Sequence, residues 1–324
     1  MRRDTILPFN GHPLIDVPGG GLAYAAAGLA VWHRDIGLVG RVGEDYPHEW
    51  LLSFTRHGMD IRGLQVVPQA LDLCFFVAYP EPGKPQYTNP IAHFARLGLT
   101  FPKSLLGYQP AERRQDSRFE SLPASPRPAD IPSAYLQAQA VHLCPMDFVA
   151  HRRLALAFQQ AKVKIQSIDP GAGYMNTAFW DDMRDLLRGV TAFIPCEQEL
   201  RDLFWGRTDD PWQMAEALCG DGCEMVVIKC GARGQLLYEG ASHKRWEIPA
   251  YPARLVDPIG AGDAFCGGFL AGYQLTSDPL QAVLHGNISA SLAIEGSGVF
   301  QVLETLPGLA QARLDSLSGL VRCV

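Results

Sequence analysis

No stretch of this 324-residue chain approaches the roughly 18 consecutive apolar residues of a membrane span, although 47% of it is hydrophobic. The opening MRRDTILPFNGHP is basic but soon meets polar residues and prolines, so it lacks the apolar core of a secretory signal. Basic runs are missing too. The densest cluster, Glu112-Arg113-Arg114, reads as a solvated loop, and a net charge of −6 offers nothing to a nucleic acid or an anionic membrane. Zinc-site spacing is also absent. Eight cysteines lie scattered at 74, 144, 196, 219, 223, 230, 266 and 323, and only Cys219 and Cys223 form a close pair. A chain this long builds its own core without disulfides, so the thiols read as reduced and mostly buried, in a cytoplasmic protein. The nine histidines are equally dispersed and read as surface or satisfied core residues. There are no internal repeats or low-complexity tracts.

What the chain does have is a rhythm. Short β-branched runs alternate with segments of helical period: AVHLC (140–144), HRRLALAFQQA (151–161), VKIQSID (163–169), DDMRDLLRG, VTAFIP, EQELRDLFW, PWQMAEALCG and CEMVVIKC. Buried strands separated by amphipathic helices predict a mostly parallel sheet covered on both faces. The first third differs: LQVV (64–67), LDLCFFVAY (71–79) and YTNPIAHFA (87–95) read as β-rich, with a turn in PEPGKP (80–85). Residues 98–133 are rich in Pro, Ser, Arg and Gln and read as an insertion or mobile loop within one domain spanning 1–324.

One stretch carries chemistry. DPIGAGDAFCGGF (257–269) places four glycines and two aspartates ahead of small and apolar residues at helical spacing. A Gly-Ala-Gly turn opening a helix leaves backbone N–H groups unpaired, and with the helix dipole behind them they form an anion site. A carboxylate beside such a site is electrostatically unwelcome unless it works, for example by accepting a proton from an attacking hydroxyl while the N–H groups hold a phosphoryl group. The bland alternative is an aspartate that caps the helix and glycines that pack tightly. No Gly-Lys-Ser/Thr follows, so this is not the P-loop, and it is not the dinucleotide pattern either.

DPIGAGDAFCGGFLAGY closely resembles the second signature of the ribokinase-like carbohydrate kinases, the phosphofructokinase-B family. GGGLAYAAAGLAVWHRDIGLVGRVGEDYPHEWL (19–51) is similar to their first. The resemblance covers roughly residues 6–95 and 138–300. It implies a three-layer α/β/α sandwich with a central mostly parallel sheet and a small β lid, here supplied mainly by residues 71–95. It also implies ATP-dependent phosphorylation of a hydroxyl on a sugar, polyol or nucleoside. Asp263 would be the base, and Gly260, Ala261 and Gly262 the anion hole. Asp16, at the end of GHPLID and of the family's first strand, would bind the acceptor with Gly19, Gly20 and Tyr24. Lys229, Gly231, Gly234 and Asn287 would face ATP. Glu199 would hold Mg²⁺ through water, and Asp257, with backbone near Ser297 and Gly298, would hold a monovalent cation such as K⁺.

The chain departs from the family pattern at several places. Pro258 replaces a Thr, Tyr24 and Cys196 each replace an Asn, and Gly171 and Gly173 replace the Asn and Arg that follow Asp169. A neutral thiol is a poor Mg²⁺ ligand. These changes keep a second reading open, a binding or regulatory protein that retained the fold without turnover. A monomer and a homodimer both remain open, since a shortened lid changes any clasp. Neither a nucleic acid nor a membrane is expected as partner.

Overall fold

The computed structural model describes residues 1–81, 84–110, 115–306 and 308–323. The densest basic cluster, 112–114, and the tip of the 80–85 turn lie outside the described residues. In chain order the elements are β1 (Arg2–Leu7), β2 (Leu14–Gly19), α1 (Gly21–Ala30), β3 (Gly37–Gly43), α2 (His48–Arg56), β4 (Asp60–Val67), β5 (Cys74–Glu81), β6 (Lys84–Gln86) and α3 (Pro90–Leu97). There follow β7 (Ala140–Leu143), α4 (Phe148–Gln160), β8 (Ile165–Ile168), α5 (Met183–Leu187), β9 (Ala192–Phe193), α6 (Glu197–Leu203), α7 (Pro211–Gly220), β10 (Met225–Lys229), β11 (Gln235–Glu239), β12 (Arg245–Ile248), α8 (Ala261–Thr276), α9 (Pro279–Ala293), α10 (Leu309–Leu317) and β13 (Arg322–Cys323).

The largest sheet has the order β13-β12-β11-β10-β9-β8-β7. It is parallel from β7 to β10 and antiparallel from β10 to β13. Strands β3 and β4 form a separate parallel pair. Two apolar cores flank this array, as a sheet with both faces covered requires. One is built around α1, α8, α9 and α10, with Ala27, Phe265, Phe269 and Ile288 fully or nearly fully buried. The other is built around α4 to α7, with Phe148, Phe179 and Leu203 fully buried. Helices α1 and α8 touch through backbone: a Cβ on Gly28 would overlap the carbonyl of Ala264, and one on Gly267 the carbonyl of Ala25.

The smaller sheet has the order β2-β1-β5-β6 and corrects the expected lid. Residues 71–95 supply β5 and β6, but the other two strands are residues 2–7 and 14–19. The segment 87–95 is largely helical, not extended. Asn89 caps α3 by accepting from the amide of Ala92, Pro90 stands at its first turn and Gly98 closes it in the left-handed region. Between Leu97 and Ala140 the described residues form three short 3₁₀ turns and no strand. All eight cysteines are free, and among the described residues no helix is long and apolar enough to cross a membrane.

Candidate active site

Four adjacent parallel strands deliver Cys144, Asp169, Cys196 and Lys229 just beyond or at their carboxyl ends, where ligands gather in open α/β sheets. The start of α8 faces this row. Gly260 holds φ at 78° as the residue preceding the helix, a left-handed conformation that glycine adopts at little cost. A Cβ there would also overlap the ring of Tyr24. The turn closes with the Ala261 amide donating to the Pro258 carbonyl at 3.3 Å, and the next amides of the first turn have no acceptor within the helix. Asp263 sits in that first turn, half-buried. Its pKa is pushed up to about 6, first by burial and then by the charge of Asp169, against the pull of Lys229 and Arg2. A base poised near neutrality beside unpaired N–H groups suits proton abstraction from an alcohol.

Lys229 lies beside the turn, its ammonium 3.7 Å from where a Cβ on Gly262 would stand, and it donates to Asp169 at 2.5 Å. Burial lowers the lysine's pKa, but Asp169, Cys266 and Glu199 overcome that and keep it charged. Asp169 is pushed up by burial and pulled back by Lys229. Lys229 therefore places a fixed positive charge at the helix start. Glu199 accepts from the Cys196 amide at 2.7 Å as the capping residue of α6. Cys196 takes the helix-cap position, which explains a small residue there. Among the described residues no group of three or more His, Cys, Asp or Glu side chains is arranged to hold a metal ion.

The remaining predicted residues separate into those the fold brings to the site and those it does not. Gly19, Gly20 and Gly21 wrap two carboxylates: a Cβ on Gly19 would overlap Asp4, and one on Gly21 would lie 2.7 Å from Asp263. Asp16 is not at the carboxyl end of a central strand. It lies in β2 at a bulge, with φ at 55°, where Ile15 and Asp16 together oppose Thr5. Its carboxylate takes two hydrogen bonds from Arg3, at 2.8 and 2.9 Å, on the face of the small sheet that carries Arg3 and Thr5. Tyr24 is no open pocket wall either. It is 3% exposed beneath Gly260, and its hydroxyl has no partner among the described residues.

Asn287 is fully engaged within the protein. It accepts from the Tyr251 amide and donates to Gln235 and the Pro249 carbonyl, all at 2.8 Å. It therefore fastens a loop and leaves no amide group for a base. The turn holding Gly231 (φ 59°) and Gly234 (φ 97°) borders a cavity of about 570 Å³ lined by Arg233, Gln235, Glu247 and Pro249. Asp257 is 1% exposed; one oxygen accepts from the Ile259 amide at 3.0 Å and the other lacks a geometric hydrogen bond. Ser297 lies close enough to hold its pKa down against burial.

Sequence reasoning missed Asp4. Its side chain is completely buried, bridged to Arg2 at 3.2 Å, and its charge is felt by both Tyr24 and Asp263. Burial raises its pKa, opposed by Arg2 and the Gly20 amide. The signal was present as a lone acid ahead of the strand-forming Thr5-Ile6-Leu7 run.

The sequence model of the pfkB carbohydrate kinases matches residues 127–306. A cytidine kinase of Thermococcus kodakarensis is 29% identical over 275 residues, 84% of this chain and 85% of that protein. An aminoimidazole riboside kinase of Salmonella typhimurium is 24% identical over 310 residues, 92% and 88% of the two chains. Among solved structures, the ribokinase of Thermotoga maritima superposes with a TM-score of 0.67 at 19% identity, over 97% of this chain and 96% of that one. The Salmonella enterica aminoimidazole riboside kinase, complexed with aminoimidazole riboside and an ATP analogue, gives 0.64 at 19% identity over 96% of each.

Proposed function

This chain belongs to the pfkB family of carbohydrate kinases, and from that premise we propose that it transfers the γ-phosphoryl group of ATP to a ribose hydroxyl of a nucleoside. Free sugars and polyols form the wider acceptor class. The observation that carries the reading is Asp263, a carboxylate with a pKa near 6 in the first turn of a helix whose leading amides are unpaired. The acceptor hydroxyl gives its proton to Asp263 as its oxygen attacks phosphorus. The helix start and the Lys229 ammonium meet the charge that grows on the phosphoryl oxygens. The likeness over most of the chain to a cytidine kinase and to a riboside kinase favours a nucleoside over a free sugar.

Magnesium fits this site as a passenger of the nucleotide. With no three-ligand protein cluster among the described residues, the ion would keep its waters and phosphate oxygens, with Glu199 the carboxylate expected to hold it through water. It supplies neutralisation of phosphate charge when bound. The buried, unpaired oxygen of Asp257 beside Ser297 suits a monovalent cation under the anion turn.

The test is an ATP-consumption screen over nucleosides, sugars and polyols, run in K⁺ and in a bulky organic cation at equal ionic strength. Turnover with a nucleoside, faster in K⁺, is expected. No turnover with any acceptor, together with intact ATP binding, would leave the regulatory reading standing; equal rates in both salts would remove the cation from Asp257.

We further assign a positioning role to Asp4, which is completely buried behind Gly19 and bridged to Arg2, in setting the glycine run that opens α1. Asp4→Asn is expected to raise the acceptor KM by shifting that glycine run, and to leave the KM for ATP unchanged. A lowered Tm with both KM values intact would make Asp4 a purely structural partner of Arg2.

A further inference from the structure

Two carboxylates and one ammonium gather behind the anion turn, and the ammonium is joined to the carboxylate that does no chemistry. Lys229, at the end of β10, donates to Asp169, just beyond β8, at 2.5 Å, and both side chains are largely buried. Asp169 is held from two further sides. Its amide donates to the Leu143 carbonyl of β7 at 3.0 Å, and its carboxylate accepts from the Cys266 thiol at 3.4 Å. Cys266 lies in α8, three residues after Asp263, and its sulfur stands 3.8 Å from the same ammonium. The backbone of Lys229 is tied as well, its amide donating to the Pro195 carbonyl at 2.9 Å.

Lys229 has other anions within reach. Its ammonium is 3.7 Å from where a Cβ on Gly262 would stand, next to Asp263 in the chain, yet among the described residues its ion pair goes to Asp169. Glu199 also acts on it, but accepts from the Cys196 amide. A buried ammonium that loses its partner is strongly destabilised and turns to the nearest carboxylate. If that carboxylate is Asp263, the base is held in its charged form by a salt bridge and becomes a poor proton acceptor.

We propose that Asp169 is a positioning residue that acts through Lys229: it holds the ammonium toward β8 and so keeps the base Asp263 unpaired. The inference rests on the kinase reading, in which Asp263 is the base. The groups that face Asp263 come from each element around it. Asp169 beyond β8, Lys229 of β10, and Arg2 and Asp4 of β1 act on it. Cys144 beyond β7, Cys266 of α8, Tyr24 of α1 and the α-amino group of Met1 feel its charge in turn. Burial raises the pKa of Cys144, Cys266 and Tyr24, so these three stay neutral while Asp263 titrates. Asp4 keeps its bridge to Arg2 at 3.2 Å. The balance at the base is therefore set chiefly by Asp169, which raises its pKa, and by Lys229, which lowers it.

The experiment titrates the Asp263 carboxyl by ¹³C NMR in the chain labelled at aspartate, its resonance assigned by its loss in Asp263→Asn. No nucleotide or acceptor is added. In the parent the midpoint should lie near 6. In Asp169→Asn it is expected to fall by about 1–3 units, the range for an opposite charge at close approach. In Asp169→Asn/Lys229→Met it should return toward the parent value, and in Asp169→Glu, which keeps a partner for the ammonium, it should stay there. A mere loss of stability would not move these midpoints. An unchanged midpoint in Asp169→Asn would overturn the proposal. So would a double variant as low as the single one, since Lys229 would then have no part in the effect. If Asp169→Asn does not fold, Asp169→Ser, a smaller neutral residue that admits a water beside the ammonium, is titrated in its place, and the same two outcomes decide. Where an acceptor is turned over, the acid-side midpoint of kcat should move with the titration. Absence of turnover with every acceptor would defeat the kinase reading alone, because the titration is read without it.

Discussion

Asp263→Asn is expected to lower kcat by about 10²–10⁴, the range a general base contributes, while the variant gains stability at neutral pH. The two effects share one cause. Burial and Asp169 raise the folded-state pKa of Asp263 to about 6, from an ordinary value of 3.8. A carboxylate raised in this way binds its proton more tightly in the folded chain. Its contribution to stability is therefore best below pH 4 and is lost as pH rises through about 6. Above that, the fold bears the cost of a desolvated charge, which the amide lacks. The gain from Asn is about 1–2 kcal/mol once solvent screening is allowed for. Melting at pH 4 and pH 8 checks it: the variant should exceed the parent only at pH 8. In the parent, kcat should fall on the acid side with a midpoint near pH 6. A variant with near-full turnover would remove Asp263 from the chemistry.

The second large effect belongs to the contact between α1 and α8. Gly267→Ala places a methyl group onto the Ala25 carbonyl, with the Leu29 amide 2.7 Å away. Both neighbours are helix backbone and cannot swing aside as a side chain would. The cost is about 3 kcal/mol or more, at the upper end for overpacking, and Tm should fall by on the order of 10 °C. Activity should fall as well at temperatures where the variant is folded, because α1 begins at the glycine run and α8 carries Asp263 in its first turn. A change at a helix interior would then move the base relative to the acceptor. Melting and kcat measured on the same preparation test both parts, and an unchanged Tm would show that the helices have room to part.

The parts of the fold that were legible in the sequence are those where local pattern and tertiary role agree. The strand and helix alternation from Ala140 to Lys229 reads directly, because each β-branched run is a buried parallel strand and each helical stretch covers it. The turn of Gly260, Ala261 and Gly262 and the place of Asp263 at the start of a helix were legible for a similar reason, since their conformations are set within one turn. Helix α3 was misread although Asn89, Pro90 and Gly98 mark its ends, because aromatic and β-branched neighbours suggested a strand. Asp16 was misplaced because a bulge in a hairpin cannot be told from a strand end by composition. The fates of Tyr24 and Asn287 were hidden for another reason: Gly260, Gln235 and Pro249 reach them only through folding, and their contacts decide whether a polar side chain faces a ligand or the protein. Asp4 escaped notice because a buried acid next to an arginine looks in sequence like an ordinary surface pair.

The pairing of α1 with α8 also sets a schedule for making the protein. Gly28 and Gly267 lie about 240 residues apart, so at about 5–20 residues per second the ribosome needs roughly ten to fifty seconds between them. Through that interval Ala23, Ala26 and Ala27, all buried in the finished molecule, have no partner helix. The first third of the chain must wait, exposed, for its last third, and a chaperone that holds nascent apolar segments is the natural companion of that wait.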